Sequence, residues 1–167
     1  MITFQKIRWK NFLSTGDQFS EIDFQKNATN LIVGTNGTGK STVLDALTFS
    51  LFNKPFRKIN KSQLVNATNE KDTQVEVEFD INGRQYLVRR CMKPNLFEIE
   101  VDGQKMHKQA DDRAMQKILE ENILKVNYKS FTQIVILGSS SFVPFMQLST
   151  SNRRDVIEDL LDIRICL

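Results

Sequence analysis

Cysteine is nearly absent from this 167-residue sequence: Cys91 and Cys166 are too few for a disulfide framework. Histidine is scarcer still. His107 alone excludes a zinc site built from two or three histidines, and a Ser-His-Asp hydrolase would rest entirely on it. Its setting, Lys105-Met106-His107-Lys108 just past an Asp-Gly pair, reads as a solvated loop. No apolar run approaches the roughly 18–20 residues of a membrane-spanning helix. Lys6, Arg8 and Lys10 break up any secretory signal at the N-terminus. Excess charge is also lacking: 23 basic against 20 acidic residues leave a net +3, which by itself says little about nucleic acid. With 40% hydrophobic and 26% charged residues, the composition is that of an ordinary globular protein. The expectation is a cytoplasmic protein with no membrane partner, of one domain and hardly two.

What is present is organised in three stretches. Residues 2–10 and 19–24 read as short strands around the turn cluster Ser14-Thr15-Gly16-Asp17. Leu31-Ile32-Val33 is a continuous apolar run, as expected of a strand buried on both faces. Residues 41–52 place Val43, Leu44, Leu47 and Leu51 on one helical stripe, and Pro55 bars continuation. In the middle, Val75, Val77, Phe79 and Ile81 alternate with Glu76, Glu78 and Asp80, whose carboxylates are expected to face solvent. Asn82-Gly83 and Asp102-Gly103 are hairpin signals, so residues 73–106 should form an antiparallel meander. Phe12, Phe24, Phe49 and Phe52 are expected in the core. A helix is expected over 111–125 with Met115, Ile118, Leu119 and Ile123 inward, and a strand at Ile134-Val135-Ile136-Leu137. The last helix, 151–165, carries Val156, Ile157, Leu160, Leu161 and Ile163 at near-heptad spacing. That seam runs to the end of the chain without a capping glycine, as in part of something longer.

One motif carries chemistry. Gly34-Thr35-Asn36-Gly37-Thr38-Gly39-Lys40-Ser41, continued by Thr42, fits G-x-x-x-x-G-K-[ST]. Its glycines let successive N–H groups curl toward phosphate oxygens, and the helix that follows adds its positive dipole end. Lys40 reaches the β- and γ-phosphates, and the Ser41 hydroxyl is a Mg2+ ligand. An ordinary glycine-rich turn requires neither Lys40 nor Ser41. Nucleotide binding, with ATP and Mg2+ as the bound species, follows. Hydrolysis also needs an acid at the end of an apolar strand, and no segment here supplies one. The site is expected to be half of a catalytic centre.

The opening Trp9-Lys10-Asn11-Phe12, the phrase Asn30 to Ala46 around the loop, and the closing block also form a pattern together. The closing block comprises Phe131-Thr132, Phe142-Val143-Pro144-Phe145 and Arg153-Arg154-Asp155-Val156-Ile157-Glu158-Asp159-Leu160-Leu161. These resemble the N-terminal ATPase lobe of the SMC-like family that partners the double-strand-break repair nuclease (the SbcC type). The likeness is greatest to its T-even-type phage branch, the ATPase subunits of recombination endonucleases. It implies an α/β, ABC-type ATPase head: an N-terminal lobe over 1–150 with a mixed sheet and an antiparallel β meander, then the root of a coiled-coil helix over 151–167. It implies four partners: a C-terminal lobe of the same protein with the signature motif, a second copy closing over two ATP molecules, a nuclease subunit and double-stranded DNA ends. The seven glycines include no adjacent pair, in keeping with a signature motif lying elsewhere. Where the family has a Mg2+-contacting glutamine, this chain has Ser139; where archaeal members carry an arginine after Asn-Phe, it has Leu13.

The basic run Lys54, Arg57, Lys58 and Lys61 is either a solvated loop or a contact to the DNA backbone, with Arg89, Arg90 and Lys93 as weaker candidates. The leading reading is an ATP-driven half of a repair and recombination ATPase that controls DNA-end processing. The alternatives are an SMC- or RecF-type DNA clamp without a nuclease, a small phosphoryl-transferring kinase, and a module that senses ATP without hydrolysing it.

Overall fold

The computed structural model describes residues 1–107, 111–136 and 147–161. The chain forms two compact units, residues 1–110 and 111–167.

Unit 1 is a six-stranded sheet carrying one buried helix. Its elements are β1 (Ile2–Lys10), β2 (Ser20–Asp23), α1 (Thr42–Phe52), a 3-10 turn (Lys61–Leu64), β3 (Thr73–Ile81), β4 (Arg84–Met92), β5 (Leu96–Val101) and β6 (Gln104–Lys105). The strand order is β2-β1-β3-β4-β5-β6, and every pairing is antiparallel. The meander is the one the alternation predicts. Asn82 (φ 53°) and Gly83 (φ 85°) turn β3 into β4, and Asp102 (φ 51°) and Gly103 (φ 78°) turn β5 into β6. Ile7, Val75, Val77, Phe79, Val88 and Ile99 are buried on one face of the sheet. Helix α1 packs against β1, β3 and β4. It is enclosed almost all round rather than along one stripe: Thr42, Asp45, Thr48 and Ser50 are buried with Leu47, Phe49 and Leu51. Thr48 and Ser50 are accommodated because their hydroxyls donate to carbonyls one turn back. Phe12, Phe49 and Phe52 are core residues as expected, whereas Phe24 is only half-buried.

The other face holds an alternating charge ladder. Glu21, Arg8, Glu76, Arg89 and Glu98 are register neighbours across β2, β1, β3, β4 and β5. Glu76 does not face solvent as the alternation suggests; it is 2% exposed, held by Arg8 on one side and by Arg89 Nε at 2.6 Å on the other. Burial pushes its carboxyl up, but the two guanidiniums outweigh that and hold it below the ordinary carboxylate range. Arg89 also reaches Glu98 at 2.9 Å, and Arg90 is buried with its guanidinium 3.7 Å from the Phe97 ring centroid and Nε donating to Ser50 O. Both arginines are therefore engaged within the fold rather than presented to a partner.

Two expected strands are absent from the described residues. Leu31, Ile32 and Val33 belong to no strand and are 86%, 44% and 78% exposed. A strand buried on both faces needs strand partners on both sides, and no described strand pairs with this segment. The parallel part of the sheet expected to feed the loop is thus not built by the described residues. The second strand, expected at Ile134–Leu137, is replaced by helix: α3 (Tyr128–Ile134) starts where Asn127 caps it, accepting from the Ser130 N–H at 3.0 Å. Leu137 itself lies outside the described residues.

Unit 2 contains α2 (Asp112–Lys117), a π-helical turn (Ile118–Leu124), α3 and α4 (Thr150–Leu161). Asp111 caps α2 by accepting from Arg113 N–H. Met115 and Leu119 face inward as expected, but Leu124 rather than Ile123 is buried next. The wider i→i+5 turn adds a residue and resets the phase of the apolar stripe. Helix α3 packs against α4, with Lys129 donating to Asn152 Oδ1. Of the expected α4 seam, Val156 is buried and Ile157 is 45% exposed, while Leu160, Leu161 and Ile163 lie outside the described side chains.

Candidate functional site

Residues 34–41 form an open loop that runs directly into α1. Gly37 and Gly39 have φ of 90° and 88°, a region that glycine occupies without strain. Gly34 is required for another reason: a Cβ there would stand 2.5 Å from Thr38 Oγ1, which itself donates to Thr35 O at 2.8 Å. The N–H groups of Gly37, Gly39, Lys40 and Ser41 serve no other acceptor among the described residues. They sit at the N-terminal end of α1, the combination that binds anionic oxygens. Lys40 folds back across the loop, its Nζ donating to Gly34 O (2.8 Å) and Thr35 O (2.7 Å). An ammonium has three donors, so one remains for a phosphate oxygen. Ser41 stands before the first turn of α1 with its hydroxyl making no cap bond.

This loop is one wall of a cavity of about 610 Å3. Gly37, Gly39, Lys40, Ser41 and Thr42 line it on one side; Leu13, Ser14, Gln63, Val65 and Ala67 line it on the other. The second wall was not legible in the motif. It is held by asparagines: Asn66 Nδ2 donates to Leu13 O and Thr15 O, both at 3.0 Å, Asn69 Nδ2 donates to Asn11 Oδ1 at 2.7 Å, and Leu13 N–H donates to Leu64 O. The only advance sign was the cluster Asn66, Asn69 after a short apolar pair, which reads as a turn and nothing more.

The four residues of the basic run are separated in role. Arg57 lines the cavity and is clamped by the wholly buried Asp45, which accepts from Phe56 N–H, Arg57 N–H and Arg57 Nε. Lys61 lies over the Phe49 ring at 5.8 Å. Lys54 and Lys58 are exposed. Ser139, the other metal candidate, lies outside the described residues. His107 is exposed, and Cys91 is a buried thiol that burial pushes up. Among the described residues, no group of three His, Cys, Asp or Glu is gathered that would hold a metal ion. No helix among them is long and apolar enough to cross a membrane.

A glycine-rich loop with this lysine, opening a helix buried on a sheet, defines a phosphate-loop nucleotide-binding domain. The chain belongs to the AAA domain family, whose match spans residues 6–165. It is 44% identical over 158 residues to Exonuclease subunit 2 of Escherichia phage RB69, and 42% identical over 158 residues to the protein of the same name from Enterobacteria phage T4. Each alignment covers 95% of this chain and 28% of the relative. It is 28% identical over 165 residues to the DNA double-strand break repair Rad50 ATPase of Thermoplasma volcanium, covering 95% of this chain and 18% of that protein. The chain thus spans less than a third of the length of these relatives. Among solved structures, it resembles a chain from work on ATP-driven dimerisation and DNA-stimulated activation of SMC ATPases. The TM-score is 0.62 and the identity 25%, over 94% of this chain and 98% of that one. The Smc head domain of Pyrococcus furiosus shares the fold, with a TM-score of 0.67 at 23% identity over 96% of this chain and 42% of the other. The α/β, ABC-type head lobe expected from the sequence is the fold observed.

Proposed function

We propose that this chain is the ATP-binding lobe of an ATPase head in DNA repair and recombination, working with a nuclease subunit to control the processing of double-stranded DNA ends. The observation that carries the reading is the loop itself: four unengaged N–H groups, a lysine bridging two loop carbonyls, and a free serine hydroxyl converge on one cavity. Its relatives are named exonuclease subunit and double-strand break repair ATPase, which supports the reading; the setting we propose is cytoplasmic, in the host if the gene is a phage's.

In this reading the loop N–H groups and Lys40 bind the β- and γ-phosphate oxygens and offset their charge. Ser41 is the residue that would hold Mg2+, which when bound supplies further charge neutralisation on the phosphates. Arg57 adds a fixed cation to the cavity wall. In hydrolysis, water attacks the γ-phosphorus and the bond to the ADP oxygen breaks, giving ADP and phosphate. No described carboxylate is free at the loop to orient that water, since Asp45 is occupied by Arg57. A C-terminal lobe would supply that group, and the unpartnered Leu31–Val33 segment beside the loop offers it an apolar edge. A second copy would close over the bound ATP, and ATP drives closure to the extent that it binds the closed pair more tightly. Lys58, with Lys54 and Lys61 beside it, is the proposed DNA-backbone contact; affinity there should fall with salt at a log–log slope of about −0.9 per neutralised phosphate.

Mg-ATP binding and steady-state hydrolysis by the chain, with Lys40→Ala as control, test this. Binding without turnover, lost in the control, is expected. Turnover of about 1 s⁻¹ or faster, the scale of a complete enzyme, would overturn the half-site reading.

A further inference from the structure

The cavity extends well beyond the phosphate loop, and its far wall is apolar except for the Ser14 hydroxyl and one amide. Leu13, Val65 and Ala67 present carbon, and Gln63 stands among them at the end of the 3-10 turn. The orientation of that amide is fixed by its neighbour. Asn60 N–H donates to Gln63 Oε1 at 2.7 Å, and Gln63 N–H donates back to Asn60 O at 3.0 Å. A backbone N–H can only donate, so the side-chain atom facing it is the oxygen. The Nε2 group, with two N–H donors, has no acceptor among the described residues. The oxygen keeps one further lone pair.

We infer that Gln63 reads the base of the bound nucleotide and selects adenine. This rests on the reading of residues 34–41 as a nucleoside triphosphate site. An amide offering a donor beside an acceptor is complementary to a ring nitrogen beside the N6 amino group of adenine, the pairing glutamine makes with adenine elsewhere. Guanine presents two acceptors at the same edge, N7 and O6, and would set one of them against Gln63 Oε1. Leu13 and Val65 give the ring an apolar seat. The Asn60 bond holds the amide in place before the nucleotide arrives, so less side-chain freedom is lost on binding.

Affinities of the chain for Mg-ATP, Mg-GTP and Mg-tripolyphosphate, measured by titration calorimetry for the wild type and Gln63→Glu, test the assignment. The glutamate keeps an oxygen for Asn60 N–H but has no donor, and position 63 is exposed, so the fold is retained; an unchanged melting curve verifies this. The wild type should prefer ATP to GTP by about tenfold, the low end of one amide–base pairing. In Gln63→Glu the ATP-to-tripolyphosphate and GTP-to-tripolyphosphate affinity ratios should both drop about tenfold, since either base loses the donor to its ring nitrogen. The ATP-to-GTP preference should persist, since an oxygen still faces N6 or O6. Nucleotide-to-tripolyphosphate ratios equal to those of the wild type, or a wild type that does not prefer ATP to GTP, would overturn the role of Gln63 while leaving the loop reading intact. Tripolyphosphate binding that survives Lys40→Ala would instead overturn the loop reading on which it rests.

Discussion

The guanidinium of Arg57 stands 2.6 Å from the carboxylate of Asp45, a wholly buried residue in the first turn of α1. The helix that opens at the phosphate loop thereby fixes a cation on the wall of the same cavity. Asp45 accepts two backbone N–H groups as well, at 3.0 Å each, so it also sets the path of the chain at Phe56 and Arg57. Asp45→Asn should retain part of this bonding but lose the ion pair. It is expected to destabilise the chain by roughly 2–3 kcal/mol, the scale for breaking a buried charge-assisted contact. Thermal unfolding should show a fall of several degrees, and Mg-ATP affinity should fall with it.

Lys40→Ala should weaken Mg-ATP binding by about 10- to 100-fold, the worth of one charged hydrogen bond of roughly 1.5–3 kcal/mol. Both acceptors of Lys40 are carbonyls of the exposed loop, so circular dichroism and melting should not change. Unaltered affinity with a native spectrum would remove the phosphate role from this lysine.

Gly34→Ala should distort the loop, because the new methyl meets Thr38 Oγ1 at 2.5 Å. Overpacking of this kind costs about 1–3 kcal/mol, and ATP affinity should fall by at least tenfold. The double variant Gly34→Ala/Thr38→Ala removes the clashing oxygen and should recover part of the loss. A double-mutant cycle with no coupling would show that this contact does not shape the loop.

Acid should unfold the protein partly through Glu76. Its folded carboxyl lies below the unfolded value of about 4.5. Its contribution is therefore complete above that value and is lost as the pH falls through the lower folded value. Glu76→Gln should cost roughly 2–3 kcal/mol at neutral pH, since Arg8 and Arg89 lose a buried partner. It should also flatten the decline in stability below about pH 4.5, as followed by denaturant titration across pH. An acid limb as steep as that of the wild type would place the effect elsewhere.

Much of unit 1 was legible from local pattern. The β3–β4–β5 meander follows from alternation and from Asn-Gly and Asp-Gly turns, because the two-residue period and the positive φ of a hairpin are properties of a few adjacent residues. The phosphate loop was legible for the same reason: Gly34, Gly37, Gly39, Lys40 and Ser41 act within eight residues of chain. Position 76 was misread because alternation assigns a face, not an environment. That face is solvated at most positions, but two arginines from neighbouring strands cover this one.

The sequence by itself determined the loop, the helix behind it and the meander, all of which rest on contacts between residues close in the chain. Only the tertiary structure decided what stands opposite the loop. Leu13, Gln63 and Val65 reach the cavity because Asn66 bonds the carbonyls of Leu13 and Thr15 across some fifty residues. Arg57 reaches it because a buried aspartate pulls it there rather than leaving it in a basic surface run. The Leu31–Val33 segment marks the converse case. Its apolar character was plain, yet a strand is formed by its neighbours, and no strand described in this chain pairs with it.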